Sequence, residues 1–157
     1  GDRVADVLIE KGGEFAHGYT YSGHPVACAV ASANLALIEQ EGLVPRTRDD
    51  TGPYLASKWR ELAGHPLVGE ARSIGLIGAL ELVRDKATRR FFDKRGEVGG
   101  ICRDFCFQNG LIMRAVRATM ITAPPPVIDR GQLDELAEKA WRCLDLTLER
   151  CRAEGRL

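Results

Sequence analysis

An excess of charge of either sign is missing from this sequence: Lys plus Arg number 22, Asp plus Glu number 22, and the formal net charge is zero. No basic face follows from that balance, and nucleic acid is not an expected partner. Missing too is any apolar run of the roughly 20 residues that a bilayer requires. The longest runs, such as Pro25–Ala33, fall well short, so no membrane partner is expected. The start lacks the basic-then-apolar pattern of a secretory leader. The cysteines are Cys28, Cys102, Cys106, Cys143 and Cys151, an odd number. With no leader, that count speaks against a disulfide framework and for a reducing, cytoplasmic compartment. Cys102 and Cys106 stand four apart, but no histidine or second cysteine pair completes a tetrahedron. No metal is expected, and Cys102 and Cys106 read as small buried hydrophobes. There are no internal repeats and no low-complexity segment.

What is present suits a globular chain. Apolar residues make up 45% of the 157, enough for a core in one domain or in one domain plus part of another. Asp2 can cap a short helix through Val4, Val7 and Leu8 that Gly12-Gly13 would end. The loop Phe15-Ala-His-Gly-Tyr-Thr-Tyr-Ser-Gly-His-Pro25 follows. From Val26 to about Glu41 the pattern is helical and rich in small residues, including Ala27, Cys28, Ala29, Ala31, Ser32, Ala33 and Ala36. Such a helix is expected to be buried, with neighbours on several sides. A second helix is expected from about Pro45 to Ala63. Strands follow at Leu67–Arg72 and Gly75–Val83, the latter with apolar residues on both faces and so covered on both. Arg84–Gly96 is charged and turn-like. A helix over Glu97–Asn109 precedes strands at Leu111–Val116 and Thr119–Ala123. Asp129, with Gln132 three residues on and Ile128 and Leu133 as a staple, starts a last helix reaching Cys151. Residues 44–157 thus form an α+β domain, and residues 1–43 look like the end of something larger.

Two places carry chemistry. The loop Phe15–Pro25 sets His17, Tyr19, Thr20, Tyr21, Ser22 and His24 immediately before a helix N-terminus, where free amides and a partial positive charge suit a phosphate. A capped helix start, with Ser22 or Thr20 as local hydrogen-bond partners, is the plainer account of the same residues. Arg114 lies in an apolar strand, where a charge is costly unless paired. It either meets a structural carboxylate, the plainer account, or awaits an anionic ligand. His65 before Pro66 reads as solvated, and Trp59 and Trp141 as core.

The string His17-Gly-Tyr-Thr-Tyr-Ser-Gly-His-Pro25 with its Ala-rich helix resembles the C-terminal-half signature of the class III aminotransferases. Gly69-Glu-Ala-Arg-Ser-Ile-Gly75, Cys102-Arg-Asp-Phe-Cys-Phe-Gln-Asn-Gly-Leu-Ile-Met-Arg114 and Thr122-Ala-Pro-Pro-Pro-Val-Ile-Asp129 agree in order and spacing. The resemblance covers essentially the whole chain and runs towards the putrescine- and other amine-to-pyruvate transaminases. It implies an α/β fold type I pyridoxal-phosphate-dependent transferase, with residues 1–43 ending its large cofactor-binding domain and residues 44–157 forming its α+β small domain. It implies a homodimer with pyridoxal 5'-phosphate at the interface, moving an amino group from an amine or ω-amino acid to pyruvate or a similar keto acid. By the same resemblance Thr20 binds the cofactor phosphate of the neighbouring subunit, Tyr19 supports that contact through its backbone, and Arg114 pairs with the substrate carboxylate. Relatives usually carry Gly-Asp where this chain has Arg117-Ala118. That departure bears on substrate preference, since Arg117 either lies on the opposite strand face or, if the chain turns there, reaches the pocket mouth.

The lysine that binds the cofactor covalently in this family falls upstream of the point matching Gly1. Lys11, Lys58, Lys86, Lys94 and Lys139 sit in charged, helical or turn contexts, none with the desolvation that lowers a lysine's pKa. The chain as given is expected to be inactive, either as part of a longer enzyme or as a natural truncated, non-catalytic dimerisation or binding module. Incubated with pyridoxal phosphate and reduced with borohydride, it should show only scattered lysine labelling. Peptide mapping checks this, and one dominant lysine modified at near-stoichiometric yield would refute it.

Overall fold

The computed structural model describes residues 1–13 and 17–157. Phe15, where the expected loop begins, lies outside the described residues. The chain divides into two compact units, Gly1–Ile38 and Glu39–Leu157.

The first unit holds α1 (Asp2–Lys11) and nearly all of α2 (Pro25–Gln40). Gly1, not Asp2, is the N-cap of α1, so Asp2 acts from the first turn, where its charge complements the helix dipole. Neither helix buries a residue. Val26, Val30, Leu35 and Leu37 of α2 are exposed, and so is Cys28. The expected burial of this helix is therefore not met within the chain. Its apolar residues run all round it, and α1 with one turn cannot cover every side.

The second unit begins with α3 (Leu43–Arg46), continues through a π-helical turn at Thr47–Thr51, and resumes as α4 (Gly52–Leu62). One continuous helix was expected here, and the π-turn splits it. In α4, Leu55, Trp59 and Leu62 recur at helical spacing and are buried. Strands β1 (Val68–Ile74) and β2 (Ile77–Leu82) follow, then α5 (Arg95–Gln108), β3 (Arg114–Val116), β4 (Thr119–Thr122) and α6 (Arg130–Ala153). The four strands form one antiparallel sheet in the order β1-β2-β4-β3.

Helix α4 packs on β1 and β2, α5 packs on β3 and β4, and α6 lies against both helices. Every second strand residue is thereby covered, including Gly78, Leu80 and Leu82 of β2 and Met120 and Thr122 of β4. The alternate residues stay open: Glu70, Arg72 and Ile74 of β1, then Ile77, Ala79 and Glu81 of β2, are exposed or half-buried. This corrects the expectation that β2 is covered on both faces. All the helices of this unit that pack on the sheet pack on one side, which leaves Ile77 more than half exposed.

Local rules account for α6. The Asp129 carboxylate accepts from the Gln132 amide at 2.8 Å, and the Gln132 side chain accepts from the Asp129 amide at 3.1 Å. Such a cap contributes about 1 kcal/mol. Ile128 and Leu133 flank it, both buried in the core. Leu136, Ala140, Cys143, Leu144, Leu148 and Cys151 continue the buried stripe. Cys102 and Cys106 of α5 are also buried, as small hydrophobes. Trp59 joins this core, but Trp141, also expected there, remains 39% exposed.

His65 departs furthest from expectation. It was read as solvated; it is fully buried, its Nδ1 accepting from the Leu67 amide at 3.1 Å and its Nε2 lying 3.2 Å from the Asp145 carboxylate.

Arg117 and Ala118 form the two-residue turn between β3 and β4. Arg117 has φ +56°, a conformation that side chains with a Cβ adopt at a cost of about 1–2 kcal/mol. The turn cannot shift to relieve this. Ala118 is fully buried, its carbonyl accepts from the Leu82 amide at 2.9 Å, and a Cβ on Gly99 of α5 would lie 1.8 Å from the Arg117 carbonyl oxygen. Arg117→Gly is accordingly expected to raise stability by about 0.5–1 kcal/mol, the strain relieved less the glycine's extra unfolded-state entropy. A higher urea midpoint at unchanged m-value checks it.

Candidate functional site

The turn ahead of α2 is built by its own short-range hydrogen bonds. The Tyr19 amide donates to Ser22 Oγ at 2.8 Å, and the Ser22 amide donates back to the Tyr19 carbonyl at 2.9 Å. The His24 amide donates to the Tyr21 carbonyl at 3.1 Å, and His24 Nδ1 receives the Ala27 amide of α2 at 3.5 Å. Gly23, at φ +75°, takes the left-handed conformation that lets the chain reverse between them. The rings of Tyr21 and His24 stand edge to face with centres 6.4 Å apart, and those of His17 and Tyr19 with centres 5.9 Å apart.

Ser22 and His24 thus supply the local capping, and Thr20 does not. The amide and hydroxyl of Thr20 make no hydrogen bond among the described residues. Helix α2 has no acidic residue in its first turn, so nothing there opposes an approaching anion. Tyr19 and Thr20 share this one exposed turn.

Arg114 belongs to the second unit, at the start of edge strand β3. The ladder pairs Arg114 with Ile121, Ile121 with Ala79, and Ala79 with Arg72, so these four side chains rise in one row on the open face. Arg114 is exposed and makes no ion pair among the described residues. The expected cost of a charge in an apolar strand therefore does not arise, because β3 is only Arg114–Val116 and its outer face is open. Arg72, at the other end of the row, is engaged: it lies 3.5 Å from Glu70 and 3.7 Å from Glu81. Glu81 also accepts from the Thr119 hydroxyl at 2.7 Å. Beside this pair a shallow hollow of about 200 Å³ is lined by Arg72, Ser73, Ile74, Ile77 and Ala79. Arg117, in its turn, projects from the same hairpin as Arg114 without extending the strand.

The lysines of the second unit are all committed elsewhere. Lys58 pairs with Asp134 at 2.8 Å, which raises its pKa and keeps it charged. Lys94 pairs with Glu97 at 3.1 Å and Lys139 with Glu135 at 2.6 Å. Lys86 donates to the carbonyls of Ala63 and His65. Sequence reasoning missed the last of these contacts together with the His65–Asp145 pair; the only signal was a histidine directly before Pro66 at a helix end.

The sequence model of the family described as Aminotransferase class-III matches residues 2–144. A putrescine–pyruvate aminotransferase from Pseudomonas aeruginosa is 55% identical over 146 residues, covering 93% of this chain and 32% of that protein. A diaminobutyrate–2-oxoglutarate transaminase from Halomonas elongata is 38% identical over 161 residues, covering 99% of this chain and 34% of that protein. Among solved structures, a thermostable omega transaminase mutant from Pseudomonas jessenii superposes with a TM-score of 0.79 at 36% identity, covering 93% of this chain and 32% of its own. A transaminase from directed evolution by ancestral reconstruction superposes with a TM-score of 0.83 at 41% identity, covering 96% and 34%. The chain therefore spans about a third of the length of the relatives it matches. With the family match spanning residues 2–144 and the fold likeness covering more than nine-tenths of the chain, the chain belongs to the class-III aminotransferases, pyridoxal-phosphate-dependent transferases of fold type I.

Proposed function

We propose that this chain serves as the C-terminal portion of an aminotransferase that moves an amino group from an amine or ω-amino acid to pyruvate or a similar keto acid. The enzyme works as a cytoplasmic homodimer with pyridoxal 5'-phosphate. The observation that carries the proposal is Arg114, an exposed guanidinium beside Ile121 that pairs with no carboxylate among the described residues. The substrate named for the Pseudomonas aeruginosa relative, putrescine with pyruvate, agrees with a donor that lacks a carboxylate and an acceptor that has one.

The residues around Thr20 fit the cofactor's phosphate. Its amide and hydroxyl are both available, they precede the N-terminus of a helix, and the reciprocal Tyr19–Ser22 hydrogen bonds hold that backbone in place. When bound, pyridoxal phosphate supplies an electron-withdrawing ring that acidifies the carbon–hydrogen bond next to the transferred nitrogen. Thr20 orients by its grip on a dianion. Arg114 binds the keto-acid carboxylate through its planar fork and, being on an edge strand with a free outer face, can swing aside for an uncharged chain. Arg117 sits where the chain turns, so its charge lies near the end of the same hairpin and favours acidic partners over neutral ones.

Two substitutions in the full-length enzyme test these roles. Thr20→Ala removes one hydrogen bond to a charged group, about 1.5–3 kcal/mol, so cofactor affinity should fall roughly tenfold to hundredfold while the protein stays folded. An unchanged cofactor dissociation constant would leave Thr20 as a plain turn residue. Arg114→Ala should lower kcat/KM for the keto-acid half-reaction by roughly 30-fold to several thousandfold, equivalent to about 2–5 kcal/mol. The amine half-reaction should fall far less. Stopped-flow measurement of each half separately decides it, because equal losses in both halves would make Arg114 a structural residue.

A further inference from the structure

His65 sits where four parts of the second unit meet: the C-terminal end of α4, the turn into β1, the helix α6, and the loop after β2. Its ring is fully buried. Nδ1 accepts the Leu67 amide at 3.1 Å, so in the neutral ring the proton must ride on Nε2, which donates it to Asp145 Oδ1 at 3.2 Å. The ring of Trp141, one turn before Asp145 on α6, stands nearly perpendicular to it at 86°, with ring centres 5.3 Å apart. Lys86 closes the arrangement from the loop, donating to the carbonyls of Ala63 and His65 and so neutralising the negative end of α4.

We propose that His65 is a proton-operated latch: the neutral ring ties the turn between α4 and β1 to α6, and protonating it releases that turn. An imidazolium has two N–H donors and no acceptor, so Nδ1–H would face the Leu67 N–H and that bond would be lost. The new charge would also lie beside Lys86, which shares the His65 carbonyl. The charged groups facing the ring are Asp145 from α6 and Lys86 from the loop, while the end of α4 and the turn into β1 present carbonyls and the Leu67 amide. Asp145 favours the charged ring, but its side chain is 52% exposed and its pull is screened. Burial therefore dominates and, with Lys86 adding to it, holds the His65 pKa below the ordinary histidine value. The unfolded chain then takes the proton first as pH falls. Stability from the latch is complete above about pH 6.5, the unfolded value, and is lost as pH falls from there through the folded value.

The test compares the full chain with His65→Gln, whose amide can take the Leu67 N–H and donate to Asp145 without titrating. His17 and His24 are present in both proteins, so only the change at His65 separates them. The wild type is expected to lose up to about tenfold in its folding equilibrium constant per pH unit below pH 6.5, as one proton requires, while the variant lacks that slope. Superimposable urea-midpoint profiles from pH 7.5 to 5 would overturn the proposal. Should His65→Gln fail to fold, nitrogen-15 NMR of the wild-type ring decides. The expected result is the Nε2–H tautomer at pH 7.5, with the Leu67 amide signal losing protection from exchange as the ring protonates. An Nδ1–H tautomer, or a protected Leu67 amide throughout the titration, would refute it.

Discussion

Trp59 lies against the backbone of Gly78, so close that a Cβ there would stand 2.6 Å from the indole. That approach sets the separation between α4 and the sheet, and much of the second unit depends on it. With the indole seated, Leu55 and Leu62 of α4 join Leu80 and Leu82 of β2 in one core, and α6 packs against both α4 and α5. Full burial of each such side chain contributes about 1.5–3 kcal/mol against leaving it exposed. The indole Nε1 is buried without a hydrogen-bond partner, so close packing is obtained here at the expense of one polar group.

Because the helices occupy one face, the opposite face stays open, and that is what leaves Arg114 exposed. A guanidinium on the covered side would need a buried counter-ion, which would then compete with any ligand. On the open side it sits next to Ile121 with solvent above it, charged at little desolvation cost and uncommitted. Arg72, on the same row, shows the alternative state of the same side chain, held between Glu70 and Glu81. The turn before α2 follows a similar division. Ser22 and His24 take the local hydrogen bonds of a helix start, which leaves the amide and hydroxyl of Thr20, two residues before Ser22, unspent among the described residues.

Much of this was legible in the sequence. The Asp129–Gln132 box, the helical stripe of α6, the order of helices and strands in the second unit, and the turn that ends before α2 all rest on hydrogen bonds or side-chain spacing within a few residues. The motifs around Thr20 and Arg114 carried the family for the same reason, as unbroken strings of neighbours. Tertiary structure alone decided the rest. The spacing of β2 shows two apolar faces and cannot say that helices will cover only one. Arg117 shows a charge, and only the closed hairpin under Gly99 shows that it bears a left-handed turn. The apolar circumference of α2 says that it wants neighbours and not which ones. His65 is the clearest case: beside Pro66 it has the appearance of a solvated loop residue, yet its ring is buried and meets Asp145, 80 residues away. Local hydrogen bonds are encoded where they form, whereas contacts across that distance exist only after the chain has closed around them.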